Sequence, residues 1–230
     1  MNQTLIIGSG YLGEFIKNAL PEAISSSLDQ SGDFYFDLNS SDFYKLPKAD
    51  NLIITCSTEN MNSKAKIFAD FAKEQYKKVI IISTASLFDV PYPNAIIDES
   101  SPLKSNHPRT QSESYFTDFA TILYLGLLWD KSYRRPEKWF SNIKNGNKYI
   151  NLCNSELVAK VCQKLINENK SLSGKFICTD GPALLWKNLP GAESFNFPEK
   201  EIGLESKILN SKKLQFTLKS KIDWECYVYN

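Results

Sequence analysis

Short apolar runs alternate with helical patterns along this chain. Runs of strand length cover residues 4–7, 23–26, 34–38, 51–55, 78–83, 122–127 and 175–179. Between several of them, apolar residues recur every three or four positions, which is the spacing of a helix that buries one face. Strands that alternate with helices are typical of a parallel sheet with helical crossover connections. The pattern predicts an α/β fold with a doubly wound parallel sheet.

Four stretches carry the helical pattern. The first begins at Tyr11 and ends at Pro21, and the third covers residues 110–119. The second is predicted to bury Ile67, Phe68, Phe71, Ala72 and Tyr76. The fourth is capped by Asn154 or Ser155 and buries Leu157, Val158, Val161, Cys162, Leu165 and Ile166. Residues 87–105 contain three prolines and predict a long irregular loop, a type of segment that is usually functional.

Size and charge exclude several classes of protein. The chain has 230 residues, 42% of them hydrophobic, which suits one large domain or one domain with a small appendage. Its 27 basic and 26 acidic residues nearly cancel, so no electrostatic footprint for nucleic acid or an anionic membrane is visible. No leader sequence and no run of about 18 apolar residues is present. We expect a soluble, cytoplasmic protein with no nucleic-acid partner and no membrane partner.

The sequence offers few residues for a metal site or a disulfide bond. The five cysteines are Cys56, Cys153, Cys162, Cys178 and Cys226, and none of them forms a Cys-x-x-Cys pair. His107 is the single histidine, so a zinc site lacks ligands and we expect no metal. The thiols are predicted to be free and mostly buried, since free cysteine packs as a small apolar residue.

The clearest chemical motif follows the first strand directly. Gly8-Ser9-Gly10-Tyr11-Leu12-Gly13 has the spacing Gly-x-Gly-x-x-Gly and opens the first helix, the context in which this motif binds a dinucleotide. Gly8 permits a tight turn, Gly10 lets the backbone approach a pyrophosphate, and Gly13 allows the helix to pack closely on the strand. The alternative is a tight turn with no ligand. The context favours a Rossmann-like dinucleotide site formed by these six residues.

The choice between NAD and NADP depends on the end of the second strand. Dinucleotide-binding folds place an acidic residue about 20 positions after the glycine motif to hold the ribose 2′-hydroxyl. This chain has Ser25 and Ser26 there, followed by Ser27, and Asp29 comes slightly later. Serine hydroxyls could donate to a 2′-phosphate, which favours NADP slightly over NAD, although such serines can equally be turn residues.

The order of further motifs resembles a known family. Phe36-Asp37-Leu38, the segment Ile82-Ser83-Thr84-Ala85-Ser86-Leu87-Phe88, Ile97-Asp98-Glu99 and Ser101-Pro102-Leu103 follow the glycine motif. Together they resemble the extended short-chain dehydrogenase/reductase superfamily, in particular atypical members of its NAD-dependent epimerase/dehydratase group. The resemblance implies that Asp37 and Leu38 contact the adenine and that Thr55, Cys56 and Ser57 line the cofactor groove. It also implies that Thr84 is the catalytic hydroxyl, and that residues 126–129 pack on the nicotinamide.

One departure from the family bears on activity. The family's acid/base pair is Tyr-x-x-x-Lys, but Arg109 stands in the tyrosine place and Glu113 in the lysine place. An arginine stays protonated and cannot replace a phenol as a proton carrier. It can clamp an anion, and its spacing from Glu113 predicts a helical salt bridge. His107 is a candidate proton carrier because its pKa lies near neutrality, with an exposed loop histidine as the alternative.

Two functional hypotheses remain at this stage. The first is an atypical NAD(P)-dependent oxidoreductase or epimerase that acts on a small polar substrate such as a nucleotide sugar, with Thr84, Arg109 and His107 as catalytic candidates. The second is a dinucleotide-binding sensor or scaffold without hydride chemistry. Residues 1–150 are expected to form the dinucleotide-binding domain, 151–180 to complete its fold, and 181–230 to form a small C-terminal α+β substrate region. The resemblance also implies a possible homodimer.

Overall fold

Strands and helices alternate through most of the chain, in a computed structural model that describes residues 3–29, 31–40, 42–61, 63–198, 200–218 and 222–229. The strands are β1 (Thr4–Ile7), β2 (Ile24–Ser27), β3 (Phe34–Tyr35), β4 (Asn51–Ile54), β5 (Lys78–Thr84), β6 (Ala95–Ile97), β7 (Thr121–Leu125), β8 (Leu127–Trp129), β9 (Tyr149–Ile150), β10 (Leu152–Asn154), β11 (Gly174–Cys178), β12 (Leu184–Leu185) and β13 (Lys207–Leu209). The α-helices are α1 (Tyr11–Ala19), α2 (Lys64–Gln75), α3 (Pro108–Ser114), α4 (Ser155–Asn167) and α5 (Lys212–Leu218).

The main sheet has seven parallel strands in the order β11-β7-β5-β4-β1-β2-β3. The chain starts in the middle of the sheet at β1, extends to the β3 edge, and then returns to place β4 on the other side of β1. Ile7 pairs with Ile54 where the strand order reverses. In such sheets the carboxyl ends of the two central strands diverge into a ligand-binding crevice. The predicted doubly wound parallel sheet is confirmed.

The sheet is covered on both faces, which explains why its central strands are almost entirely apolar. Leu5 and Ile7 of β1 pack in one core with Phe68 of α2. Ile6 faces the other way and packs with Ile16 of α1 and Leu157 of α4. All of these side chains are at most 1% exposed. Asn154 caps α4 with its side-chain oxygen, as predicted.

Several element boundaries differ from the sequence prediction. The predicted strand at 122–127 is interrupted by Gly126, because the chain leaves the sheet there and the Leu127 amide donates to the Asn151 carbonyl. The predicted helix at 110–119 is shorter and ends at Ser114. Ile67 was predicted to be buried but is 51% exposed, since α2 buries the stripe Ala65, Phe68, Ala69 and Ala72. The segment 87–105 contains the short strand β6, which pairs with β13.

The C-terminal residues pack against the rest of the fold at one end of the sheet. Strand β13 pairs in parallel with β6. Trp186 and Tyr229 join a third apolar core with Trp129 and Phe140, and Leu214 of α5 packs into the core that contains α1 and α4. The last segment therefore covers the main sheet and forms one wall above it. Within the described residues, no helix is long and apolar enough to cross a membrane.

Gly10 and Gly13 differ in how much room a side chain would have, and this difference predicts different effects on stability. A Cβ on Gly13 would lie 2.0 Å from the Gly8 carbonyl oxygen, whereas a Cβ on Gly10 would meet nothing within 4 Å. We expect Gly13→Ala to lower the free energy of unfolding by about 1–3 kcal/mol, because the clash with backbone outweighs the better helix propensity of alanine. Gly10→Ala is the matched control and should lower the free energy of unfolding by less than about 1 kcal/mol, because alanine is only a poorer N-cap there. Equal stability of the two variants would contradict this prediction.

Candidate functional site

The glycine loop lies at the crevice between β1 and β4. Gly8 has φ +101°, which glycine adopts without strain, and the Thr55 hydroxyl donates to its carbonyl oxygen at 2.6 Å. Helix α1 begins directly after the loop, and Gly10 at its N-cap provides no side-chain acceptor for the first-turn amides. The open space beside Gly10 therefore faces the positive end of a helix, which is the usual environment for a bound phosphate.

The serines at the end of β2 are engaged with protein partners. The Ser25 hydroxyl donates to the Asp33 carboxylate at 3.2 Å. Ser26 is fully buried, and its hydroxyl oxygen accepts from the Gly8 amide at 3.4 Å. Both hydroxyls are thus used in contacts within the protein and do not point into the crevice. The slight preference for NADP that was drawn from Ser25 and Ser26 loses its physical basis.

A carboxylate lies nearer to the glycine loop than the sequence spacing suggested. Asp29 accepts hydrogen bonds from the amide and the hydroxyl of Ser31, at 3.1 and 2.7 Å. The Ser31 hydroxyl lies 3.0 Å from that of Ser9 in the loop. The hydrogen bonds from Ser31 lower the pKa of Asp29. An exposed, ionised carboxylate is therefore held beside the motif through Ser31.

The ends of β3 and β4 supply the next part of the crevice. Asp37 accepts from the Asn39 amide at 2.9 Å and from the Ser40 hydroxyl at 2.5 Å, while Leu38 is buried in the core. Burial raises the pKa of the Cys56 thiol to about 11, and the charge of Asp37 acts in the same direction. Cys56 is therefore a neutral thiol near Asp37. Its neighbour Ser57 is exposed and accepts from the Glu59 amide.

Arg109 and Glu113 form the salt bridge that the sequence predicts, with 2.8 Å between Arg109 Nε and Glu113 Oε1. The Glu113 side chain is 1% exposed and the Arg109 side chain 14%. Arg109 also donates to the Ile82 carbonyl oxygen at 2.5 Å, and the Ser83 hydroxyl donates to Glu113 at 2.9 Å. Burial raises the pKa of Glu113, and the charge of Arg109 counteracts this effect. The pair ties α3 to β5 inside the protein.

The remaining two catalytic candidates lie in different surroundings. The Nδ1 atom of His107 accepts from the Arg109 amide at 3.2 Å and caps α3. Thr84 ends β5, and its hydroxyl accepts from the Ser86 amide at 3.2 Å. Thr84 lines a cavity of about 410 Å³, whereas His107 and Arg109 are not among its lining residues. Of the three candidates, Thr84 alone borders this cavity.

The cavity lies beyond the carboxyl ends of β5 and β7, on the side covered by the C-terminal residues. Its apolar wall includes Phe88, Leu125, Ile150 and Trp186. Three lysines also line it, namely Lys104, Lys148 and Lys207. Sequence reasoning missed these lysines because they come from distant segments, and no spacing in the chain indicates that they meet.

The segment after β8 is engaged with the glycine-loop helix. The Tyr11 hydroxyl donates to Asp130 at 2.5 Å and lies 2.8 Å from the Ser155 hydroxyl. Arg134 stacks over the Tyr11 ring at 4.0 Å. Burial raises the pKa of Asp130, but hydrogen bonds from Tyr11 and from backbone amides outweigh it and lower the pKa to about 2. Tyr11 therefore contributes its side chain to this contact, while its backbone begins α1.

Comparisons with solved structures support the fold, whereas comparisons of the sequence find no match. No protein-family model matches the chain. No curated protein matches it either.

Solved structures that match the fold cover almost the whole chain. A functionally unknown conserved protein from Silicibacter pomeroyi is similar with a TM-score of 0.75 and 14% identity, covering 100% of this chain and 95% of its own. UDP-N-acetylglucosamine 4-epimerase from Bacillus cereus has a TM-score of 0.70 and 14% identity, with 95% and 93% covered. UDP-glucose 4-epimerase from Thermus thermophilus, solved in complex with NAD, has a TM-score of 0.67 and 13% identity, with 94% and 92% covered.

Two of these three neighbours are nucleotide-sugar epimerases, and one of them holds NAD. Their identity to this chain is low, so the likeness is one of architecture. The resemblance that the sequence motifs carry is thereby confirmed at the level of the fold. The chain has the same doubly wound fold as these two nucleotide-sugar epimerases.

Proposed function

We propose that this protein binds a nicotinamide dinucleotide across the crevice between β1 and β4 and acts as an atypical oxidoreductase or epimerase on a small polar substrate. Gly10 is the observation that carries the dinucleotide site. Its φ of −66° suits any residue, and a Cβ there would meet nothing within 4 Å. The fold itself therefore does not require glycine at this position. A ligand that approaches the backbone does.

The alternative of a tight turn without a ligand explains only the other two glycines. Gly8 needs its positive φ, and Gly13 needs the absence of a Cβ against the Gly8 carbonyl. Neither constraint extends to Gly10. The open space next to it lies at the N-terminus of α1, where backbone amides and the helix dipole favour an anion.

The carboxylate of Asp29 favours NAD over NADP in this proposal. Its contact with Ser31, and through Ser31 with Ser9, holds a negative charge next to the loop that would bind the pyrophosphate, after β2, where the adenosine ribose would lie. A carboxylate accepts hydrogen bonds from a ribose 2′-hydroxyl and repels a 2′-phosphate. The NAD complex among the structural neighbours agrees with this choice.

A bound nicotinamide would supply hydride transfer, so the protein must supply the proton and the orientation of the substrate. In this proposal Thr84 orients the substrate, and its position at the border of the cavity supports that role. Arg109 and Glu113 form an ion pair and also bind β5. The tyrosine and lysine of the Tyr-x-x-x-Lys pair therefore have no counterpart at these two positions. That same observation supports the second candidate function, a dinucleotide-binding sensor or scaffold without turnover.

Gly10→Val tests the dinucleotide site. A valine side chain would occupy the space assigned to the pyrophosphate, so we expect affinity for all dinucleotides to fall at least about a hundredfold, while the thermal unfolding temperature of the free protein stays the same. Calorimetric titration of the stripped protein with NAD, NADH, NADP and NADPH measures this. Unchanged affinity in the variant would remove the site assignment, and no binding by the natural protein would remove the proposal.

Asp29→Ser tests the cofactor preference. The natural protein should bind NAD at least about tenfold more tightly than NADP, since a carboxylate beside a 2′-phosphate repels it. The variant should bind both with similar affinity. Asp42→Ser is a matched control because Asp42 caps a separate turn. A natural protein that prefers NADP would contradict the role given to Asp29.

Arg109→Met tests whether the buried pair has a structural role. Loss of the guanidinium leaves Glu113 buried without its counter-ion, and we expect a loss of about 3–5 kcal/mol in unfolding free energy at pH 7.5. The pKa of Glu113 is raised in the folded state and should rise further in the variant. The folded state then binds more protons than the unfolded state, so stability increases as the pH falls toward 5.

Adding Glu113→Gln to Arg109→Met provides the control for this experiment. The second substitution removes the buried negative charge of Glu113. Most of the stability lost in Arg109→Met should therefore return, and the added pH dependence of stability should disappear. Urea unfolding at several pH values measures both effects. If Arg109→Met keeps its full stability at pH 7.5, the pair is not a structural one and Arg109 becomes available for ligand binding.

A further inference from the structure

Two of the three lysines that line the cavity bind the turn that follows Thr84. Lys207 of β13 donates to the Ala85 carbonyl oxygen. Lys104 donates to the Ser86 carbonyl oxygen at 2.8 Å. Lys148, just before β9, lines the same cavity. Two of the ammonium groups are thus held by adjacent carbonyls, directly beside the predicted catalytic hydroxyl.

Positive charge in this cavity exceeds negative charge. Glu205 is the one carboxylate among its lining residues, and it is exposed. Within the described part of the chain, no carboxylate forms an ion pair with any of the three lysines. Lys148 and Lys207 are half-buried and Lys104 is exposed. Like charges held close together without counter-ions repel one another, and a bound anion would relieve this repulsion.

The titration of Lys207 is consistent with this imbalance. Burial lowers its pKa to about 8, and the charges of Lys104 and Lys148 act in the same direction. The other titratable groups of the cavity are Glu205 and Tyr149. A negative ligand close to the three ammonium groups would favour the charged form and raise the Lys207 pKa again.

We propose that Lys104, Lys148 and Lys207 form a binding site for the anionic group of the substrate, a phosphate ester or a carboxylate. The inference rests on the proposed function in one respect, since it takes the cavity next to Thr84 as the substrate site. Lysine ammonium groups bind phosphates and carboxylates through charge-assisted hydrogen bonds. The cavity of about 410 Å³ leaves room for an uncharged part of the substrate against Phe88 and Trp186.

The basic residues after β8 are a weaker choice for this role. Arg134 is stacked on the Tyr11 ring at 4.0 Å. Arg135 pairs with Glu137 at 2.7 Å. Both of these guanidinium groups already have side-chain partners on the protein, whereas Lys104 and Lys207 contact backbone carbonyls, which leave their charge uncompensated.

The test uses inorganic phosphate and acetate as probes of the two anion classes. Because the glycine loop could also hold phosphate, all variants are made in the Gly10→Val background. Calorimetric titration at pH 8 in two buffers with different ionisation heats gives the affinity and the number of protons taken up. We expect binding to take up as much as about half a proton, because Lys207, with a pKa of about 8, is half neutral at this pH.

Lys207→Met and Lys104→Met should each weaken the binding of the preferred probe about tenfold or more. Lys207→Arg should retain the binding and lose the proton uptake, since arginine does not titrate in this range. Lys212→Met is the matched control, because it removes an equal charge from α5 outside the cavity and should change neither quantity. Preference for phosphate or for acetate identifies which anion class the site takes.

Two results would overturn the inference. One is the absence of binding by either probe, and the other is equal weakening by Lys212→Met and Lys207→Met, which would show a general effect of net charge. Dinucleotide titration of Lys207→Met with Gly10 intact separates this inference from the proposed function. If dinucleotides bind but the anion probes ignore the three lysines, the inference alone fails. If the probes need the lysines but no dinucleotide binds the natural protein, the proposed function alone fails.

Discussion

The close contact between α1 and the first strand is the constraint on which the rest of the structure depends. The Cα of Gly13 faces the Gly8 carbonyl so closely that a Cβ would lie 2.0 Å from the oxygen. The Thr55 hydroxyl bonds that same carbonyl and so joins the loop to the end of β4. This contact sets where the helix N-terminus points and holds β1 and β4 at the reversal of strand order. The crevice and the open space at Gly10 follow from it.

A second constraint separates this chain from the pattern that its motifs resemble. A Tyr-x-x-x-Lys pair needs a partly exposed phenol whose proton can be exchanged with a substrate. Arg109 and Glu113 instead form a buried ion pair that also contacts β5. A buried pair of this kind is costly to break because each partner would be left as an uncompensated charge. The groups at this position therefore hold α3 in place, and they are not free to exchange a proton with a ligand.

Sequence reasoning succeeded where a local pattern has one structural solution. The strand at 4–7 was predicted with its bounds, and the strand predicted at 51–55 is one residue shorter in the structure. The start of α1 at Tyr11 and a cap at Asn154, one of the two predicted candidates, likewise follow from glycine spacing and side-chain capping. The spacing of Arg109 and Glu113 likewise predicted their salt bridge. It failed where tertiary contacts decide, as at Gly126, where the strand leaves the sheet, and at Ile67, which lies beside the buried stripe of α2.

The two parts of the candidate site differ in the same way in how well the sequence predicts them. The half proposed to bind the cofactor comes from turns that follow β1 to β4, and these residues carry motifs that can be recognised in the sequence. The half proposed to bind the substrate combines the end of β5, the loop before α3, the segment around β9 and strand β13, and the parallel pairing of β6 with β13 brings them together. That pairing joins residues more than a hundred positions apart, so no local spacing predicts it. The charge in this cavity therefore depends on a long-range contact, whereas the glycine loop depends on local turns.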